Sequence, residues 1–152
     1  MKKYFTNILV LIAFTSFTQA AAQQAPAVHL NHIAVYVKDL ESTTNFYKTV
    51  VGLEMIPEPF HDGKHSWFKV AEHAHLHLIQ GADSIVNHNK NGHLCFSVAD
   101  INKFVVILDK NKVAYEDWPG GSQKMTTRVD GVHQIYFKDP EGNWIEINDD
   151  KY

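Results

Sequence analysis

The stretch "NHIAVYVKDL" at residues 31–40 returns later in the chain as "GHLCFSVADI" at residues 92–101. Laid over one another, the two place His32 on His93, Ile33 on Leu94, Val37 on Val98 and Asp39 on Asp100. Each begins with the alternation of a strand and then passes into a helical pattern. A chain that opens two segments in the same way reads as a tandem of two modules.

In the first module a strand over 31–37 leads into a helix over 41–51, with Phe46, Val50 and Leu53 on its buried stripe and Gly52 as its stop. Three strands follow near 53–56, 66–70 and 75–80, with the turn residues "HDG" at 61–63 between the first two. The second module repeats the order from a strand over 93–98. Asp100 caps a helix whose Ile101, Phe104, Val105 and Leu108 fall at i, i+3, i+4 and i+7. Its closing strands lie near 114–118, 132–138 and 143–148. The last two are joined by "DPEGN", where Pro140 presets φ and Gly142 takes the left-handed position of a tight turn. The fold class expected is α+β: two paired βαβββ modules, about 30–81 and 92–149, forming a cupped mixed sheet with the helices outside.

Strand alternation puts His32, Ala34 and Tyr36 on one face and Ile33, Val35 and Val37 on the other. The apolar face must meet the helices, which leaves His32 on the concave side, and His93, Cys95 and Ser97 take the same side in the second module. Aligning "HLHLIQ" (75–80) with "WIEIND" (144–149) sets His77 against Glu146. If the modules pair about a pseudo-twofold axis, His32, His77, His93 and Glu146 converge on one point inside the sheet. Nitrogen and oxygen donors of this kind suit a divalent first-row metal with positions left open for substrate. A strand-interior glutamate between Ile145 and Ile147 also needs a partner. His75 shares the face of His77, and a shift of register would exchange them. His29, His61, His65, His73, His88 and His133 read as surface or hydrogen-bonded residues. Arg128, the single arginine, is a candidate to hold a substrate carboxylate or phosphonate. Trp67, Phe68, Trp118 and Trp144 read as core or cavity lining.

The ends and the composition set the context. "MKK", an apolar run and "TSFTQAAAQQ" have the three-part form of a secretory signal, with cleavage expected after Ala22. Residues 23–152 would then be one exported domain, periplasmic in a bacterium, with no membrane attachment. The whole chain carries a formal charge of −3 and has no basic run, which argues against nucleic acid as a partner. The one cysteine, Cys95, has no partner for an internal disulfide and reads as a small core or cavity residue.

The stretches "LNHIAVYVKDLESTTNFYKTVVGLEM", "GHLCFSV" and "GVHQIYFKDPEGNWIEI" resemble the vicinal oxygen chelate superfamily: glyoxalase I, fosfomycin- and bleomycin-resistance proteins, extradiol dioxygenases and methylmalonyl-CoA epimerase. The resemblance implies paired βαβββ modules around a metal, and often a homodimer in which ligands come from two chains. By position, His32, His93 and Glu146 match the metal triad, and His77 matches the fourth ligand of the glyoxalase and epimerase members. Those members usually carry glutamate or glutamine there. The resemblance also implies bidentate chelation of a small-molecule substrate by a divalent metal (Ni, Zn, Fe, Mn or Co), with Glu146 as the natural base. The expected activity is glyoxalase-like lyase or isomerase chemistry on a small oxygenated metabolite. An Fe(II) ring-cleaving dioxygenase and a fosfomycin- or bleomycin-resistance-type transferase or binder are the alternatives.

Overall fold

The computed structural model describes residues 27–151, so the expected signal segment lies outside the described residues. Strand β1 (His32–Val37) buries Val35 and Val37 and leaves His32, Ala34 and Tyr36 exposed, as its alternation requires. Asp39 then caps α1 (Leu40–Phe46) by accepting the Ser42 N–H at 3.0 Å. The helical stretch expected over 41–51 has two parts, because α1 widens into a π-helical turn at Tyr47–Val51. The Thr49 hydroxyl takes the Asn45 carbonyl at 2.7 Å, a back-bond that bends a helix. Gly52, at φ 83°, closes the turn in the left-handed region.

Strands β2 (Glu54–Ile56), β3 (His65–Ala71) and β4 (Ala74–Gln80) complete the first sheet in the order β1-β4-β3-β2, with β1 and β4 parallel and the others antiparallel. The second module runs β5 (His93–Ser97), α2 (Ile101–Lys110), β6 (Tyr115–Glu116), β7 (Thr126–Thr127), β8 (His133–Lys138) and β9 (Trp144–Asn148). Its sheet order is β5-β9-β8-β6, with β7 also paired to β8. Asp100 caps α2 through the Lys103 N–H at 3.1 Å. The strand expected over 114–118 is cut to two residues, because Asp117 accepts the Gly120 and Gly121 N–H groups in a turn, and β7 covers β8 beyond it.

The α+β class holds, and the second module repeats the βαβββ order with the two-residue strand β7 added. The strands form two mixed ladders whose outer strands β1 and β5 both line a small cleft of about 250 Å³, with Ile33, Ala34, His93 and Leu94 in its walls. Register repeats between modules: Ala34 stands opposite His77 across the parallel pair β1–β4, and Cys95 opposite Glu146 across β5–β9.

One apolar core serves both modules. Val35, Val37, Phe68, Leu76 and Leu78 of the first sheet and Ile135, Phe137, Ile145 and Ile147 of the second enclose residues of both helical segments. Phe137 meets Phe46 at 6.2 Å and Phe104 at 5.9 Å between ring centroids, so one ring touches both helices. Beside this core lies a polar clasp. Glu141, in the β8–β9 turn and 4% exposed, accepts the N–H groups of Lys38 and Asp39 at 2.9 Å each and the Thr43 hydroxyl at 3.1 Å. Tyr47 donates its hydroxyl to Asp139 at 3.0 Å. Burial and the neighbouring carboxylate push the Tyr47 phenol well up, so it stays a donor. No helix among the described residues is long and apolar enough to cross a membrane.

Replacing Glu141 with alanine strands three donors at a buried site, so Glu141→Ala should lower stability by about 3 kcal/mol. Glu141→Gln keeps one acceptor oxygen and should lose less. Urea denaturation of both variants against the parent measures the order.

Candidate metal centre

The second module brings His93 and Glu146 together. His93 Nε2 lies 3.1 Å from Glu146 Oε2. His93 Nδ1 lies 2.7 Å from the Lys90 carbonyl, which can only accept, so Nδ1 carries the proton. Nε2 and Oε2 would then repel unless something positive lies between them. A proton satisfies that requirement, and so does a metal ion. Two neighbouring ligands at about 2.1 Å from one ion stand roughly 3.0 Å apart at an octahedral angle and roughly 3.4 Å apart at a tetrahedral one.

Glu146 is 5% exposed and surrounded by donors. Its Oε1 accepts Gln134 Nε2 at 2.6 Å, Asn148 Nδ2 at 2.9 Å and the Cys95 thiol at 3.3 Å. Its Oε2 accepts the Tyr136 hydroxyl at 2.7 Å. Burial raises the pKa of this carboxyl, but the bonds from Tyr136, Asn148, Gln134 and Cys95 outweigh it and hold the group below the ordinary glutamate value of 4.5. The carboxylate is therefore ionised and fixed in orientation. Burial and the nearby Glu146 charge push the Cys95 thiol up to about 12 and move the Tyr136 phenol up as well, so both remain donors. Cys95 is exposed on the open face of β5, where the sequence suggested a core or cavity residue.

The first module contributes His32 and His77. His32 Nδ1 is held by Asn31 Oδ1 at 2.7 Å, which leaves Nε2 free, the usual arrangement of a metal-ligating imidazole. His77 is 9% exposed, and its Nε2 is buried with no hydrogen-bond partner. Desolvation, followed by the neighbouring His32, His75 and His65, pushes its pKa below the usual 6.5 and favours the neutral ring. Its faces are covered by Trp67, with centroids 3.8 Å apart and planes within 3°, and by His32 at 4.4 Å. In register His77 is the counterpart of Glu146 and His75 the counterpart of Trp144.

The donors fit a divalent first-row metal in kind: three imidazoles and a carboxylate, with an unpartnered buried nitrogen among them. They do not meet at one point in the single chain. Among the described residues no three His, Cys, Asp or Glu side chains gather in a way that would hold an ion. His93 and Glu146 approach edge-on like adjacent ligands, whereas His32 and His77 stack face to face. Each module thus offers one pair of candidate ligands, half of a candidate site.

Arg128 is engaged by Asp130, with Nε to Oδ1 at 3.1 Å, and reaches Asp150 Oδ2 at 3.4 Å; hydrogen bonding to Asp130 raises its already high pKa. A substrate anion would have to compete with those carboxylates. Among the six histidines read as ordinary, His65 pairs with Asp62 and His133 with Asp149. The residues that sequence reading missed are those around the ligands: Gln134, Tyr136 and Asn148 on Glu146, Trp67 on His77, and Lys90 on His93. Alternation puts Gln134 and Tyr136 on the same face of β8, but nothing in the sequence says that both point at one carboxylate. A cavity of about 610 Å³ lies at the β6–β8 edge, with Glu116, Tyr136, Lys138 and Trp144 in its wall. Neither His93 nor Glu146 lines it, so it is a neighbour of the half-site.

Residues 29–147 match the family model described as Glyoxalase/Bleomycin resistance protein/Dioxygenase superfamily, and the chain belongs to that superfamily. It is 25% identical to a lactoylglutathione lyase of Pseudomonas putida over 83% of this chain and 89% of the relative. It is 35% identical to the mitochondrial methylmalonyl-CoA epimerase of Homo sapiens, over 55% of this chain and 54% of that protein. Among solved structures it resembles the oxidase ChaP-H2 with a TM-score of 0.69 and 23% identity, covering 84% of this chain and 97% of the other. A fosfomycin resistance protein, FosX, of Listeria monocytogenes gives 0.65 and 21%, with 83% and 96% covered. Lyases, epimerases, oxidases and a resistance protein thus share this architecture.

Tyr136→Phe removes a hydrogen bond to a buried charge and should lower stability by about 2 kcal/mol at neutral pH. The folded-state pKa of Glu146 is depressed, so its contribution is present above the unfolded value and is lost as pH falls through the folded one. Tyr136→Phe raises the folded value. The gap between variant and parent should therefore narrow as pH falls below 4.5. Chemical denaturation across that range, with the carboxyl followed by carbon NMR, reads both effects.

Proposed function

We propose that this chain is an exported metal-dependent enzyme of the superfamily, with lyase or isomerase chemistry on a small metabolite that presents two neighbouring oxygens. The observation that carries the proposal is the His93 Nε2–Glu146 Oε2 approach at 3.1 Å, with the other ring nitrogen already committed to a carbonyl. His32 and His77 of a second copy would complete each site, which makes the working unit a homodimer. Export rests on the form of residues 1–22, and the acidic balance of the chain keeps nucleic acid an improbable partner.

A bound divalent ion would supply positive charge to the two substrate oxygens, making the adjacent carbon acid stronger. The remaining work falls to the chain. Gln134 and Asn148 anchor Oε1 of Glu146, so Oε2, the oxygen nearer His93, is the one that would take the proton. Its lowered pKa makes it a modest base, suited to a substrate whose carbon acid has already been strengthened. Tyr136, held protonated, donates to that same oxygen and fixes where the proton is received. Arg128, once released from Asp130 and Asp150, would meet an anionic substituent.

A second reading, a three-ligand Fe(II) dioxygenase, is favoured by one feature: both faces of His77 are covered and its Nε2 is shut away from solvent. Metal content of protein purified without chelator separates the readings. About one ion per site, lost in His93→Ala and Glu146→Ala and in His77→Ala, supports the four-ligand site. Retention in His77→Ala moves the assignment to the oxygenase, and no metal under any loading condition leaves a binding protein of the bleomycin-resistance kind. Deuterium uptake from D₂O beside the carbonyl of candidate hydroxycarbonyl substrates reads the proton transfer directly.

Sharing of the site between chains is tested by mixing His32→Ala/His77→Ala protein with His93→Ala/Glu146→Ala protein. Random re-pairing of subunits should restore about a quarter of the wild-type metal. A site made within one chain gives no restoration.

A further inference from the structure

Lys90 lies at the end of the segment joining the modules, three residues before His93. Its side chain is 16% exposed. The ammonium donates to Glu116 and to the carbonyls of Asp117 and Trp118, each at 3.2 Å. Three rings surround it, with centroids at 4.8 Å for Trp144, 5.5 Å for Tyr136 and 5.9 Å for Trp118. An ammonium has three donors, and here each finds an oxygen while the charge faces aromatic surfaces. A lysine serving only solubility would extend its head group into water.

The cage touches both members of the His93–Glu146 pair. The Lys90 carbonyl accepts the Nδ1 proton of His93 at 2.7 Å. Tyr136, one wall, donates to Glu146 Oε2 at 2.7 Å. Trp144, another wall, gives its indole N–H to the His88 carbonyl at 3.0 Å and carries Lys138 at 4.8 Å on its ring. Lys138 in turn reaches Asn87 Oδ1 at 2.6 Å. The joining segment is thus tied down before Lys90 and at Lys90 itself, next to the position where His93 enters its strand.

We propose that Lys90 is a positioning residue for the metal half-site: its caged ammonium holds the joining segment so that the Lys90 carbonyl orients His93 and the cage wall orients Glu146. The proposal rests on the assignment of His93 and Glu146 as ligands. Outer partners that orient a ligand change metal affinity by about tenfold to a hundredfold when removed. The ammonium is the active element, because the carbonyl that touches His93 is present in every variant and only its placement changes.

The test compares wild type with Lys90→Ala and Lys90→Met, using full-length mature protein. One readout, made without metal, is the His93 Nδ1 proton by nitrogen-resolved NMR, which a carbonyl partner shifts downfield and protects from exchange. The other is Zn²⁺ affinity by competition with a coloured chelator. The expected result is a protected Nδ1 proton in wild type, lost in both variants, with Zn²⁺ affinity down about tenfold to a hundredfold. Propylammonium, but not neutral propanol, should restore both readouts in Lys90→Ala. If Lys90→Ala fails to fold, Lys90→Met, which keeps the stem, carries the comparison. Wild-type protection and affinity in Lys90→Met would overturn the proposal, as would equal rescue by propanol. A wild type that binds no Zn²⁺ yet loses Nδ1 protection in the variants would overturn the metal assignment and leave the positioning role standing.

Discussion

The buried carboxylate of Glu141 is the constraint on which the arrangement of the two modules depends. It sits in a turn of the second module and takes its hydrogen bonds from the chain where β1 of the first module becomes α1. A negative group at that point also faces the positive end of the helix. Tyr47 and Asp139 repeat the link one helical turn further on, and Phe46 then has no alternative but to lie on Phe137. These contacts hold α1 against elements of both modules, and with it the position of β1 relative to β5. Any relation between the half-sites, within one chain or across two, is measured from there.

The two half-sites are equivalent in register and unlike in chemistry. Glu146 receives four hydrogen bonds, from Gln134, Asn148, Cys95 and Tyr136, which keep it charged and fix its orientation. His77 is held by ring faces, which leave its edge nitrogen unpaired. The second half-site is a fixed anion beside an imidazole, and the first is a neutral imidazole in an aromatic stack. A cation shared by the two would be compensated by one formal negative charge rather than two, which weakens its electrostatic hold and leaves it more strongly Lewis acidic toward a substrate oxygen.

The repeat made most of the fold legible. Alternation in "NHIAVYV" and "GHLCFSV" assigned the faces, Asp100 marked a helix start, and the aligned closing strands put His77 and Glu146 in register, because these features are local and periodic. The π turn was hidden, since its residues continue the apolar pattern of the helix before it. Strand β7 was hidden because two residues carry no period. The division into two ladders follows from how the modules dock, which depends on Glu141, and a glutamate in a "DPEGN" turn looks like ordinary solvent-facing charge. Candidate ligands could be named from symmetry. Their partners could not, because Gln134, Tyr136, Asn148 and Lys90 acquire their roles only when distant strands are brought together.

The polar clasp is present on one side of the pseudo-symmetric chain alone. Thr43 and Tyr47, which reach Glu141 and Asp139, have Phe104 and Leu108 as their counterparts in α2, and the counterpart of Glu141 is the exposed Glu72. The halves are therefore no longer interchangeable. Two copies of the first half would bring the hydroxyls without an inward carboxylate. Two copies of the second would set that carboxylate against a phenylalanine, where its charge finds no donor. Thr43, Tyr47 and Asp139 thus correspond to Phe104, Leu108 and Val70 across the repeat, and the same glutamate is buried in one half and exposed in the other, so a repeated architecture is built from two unlike pieces.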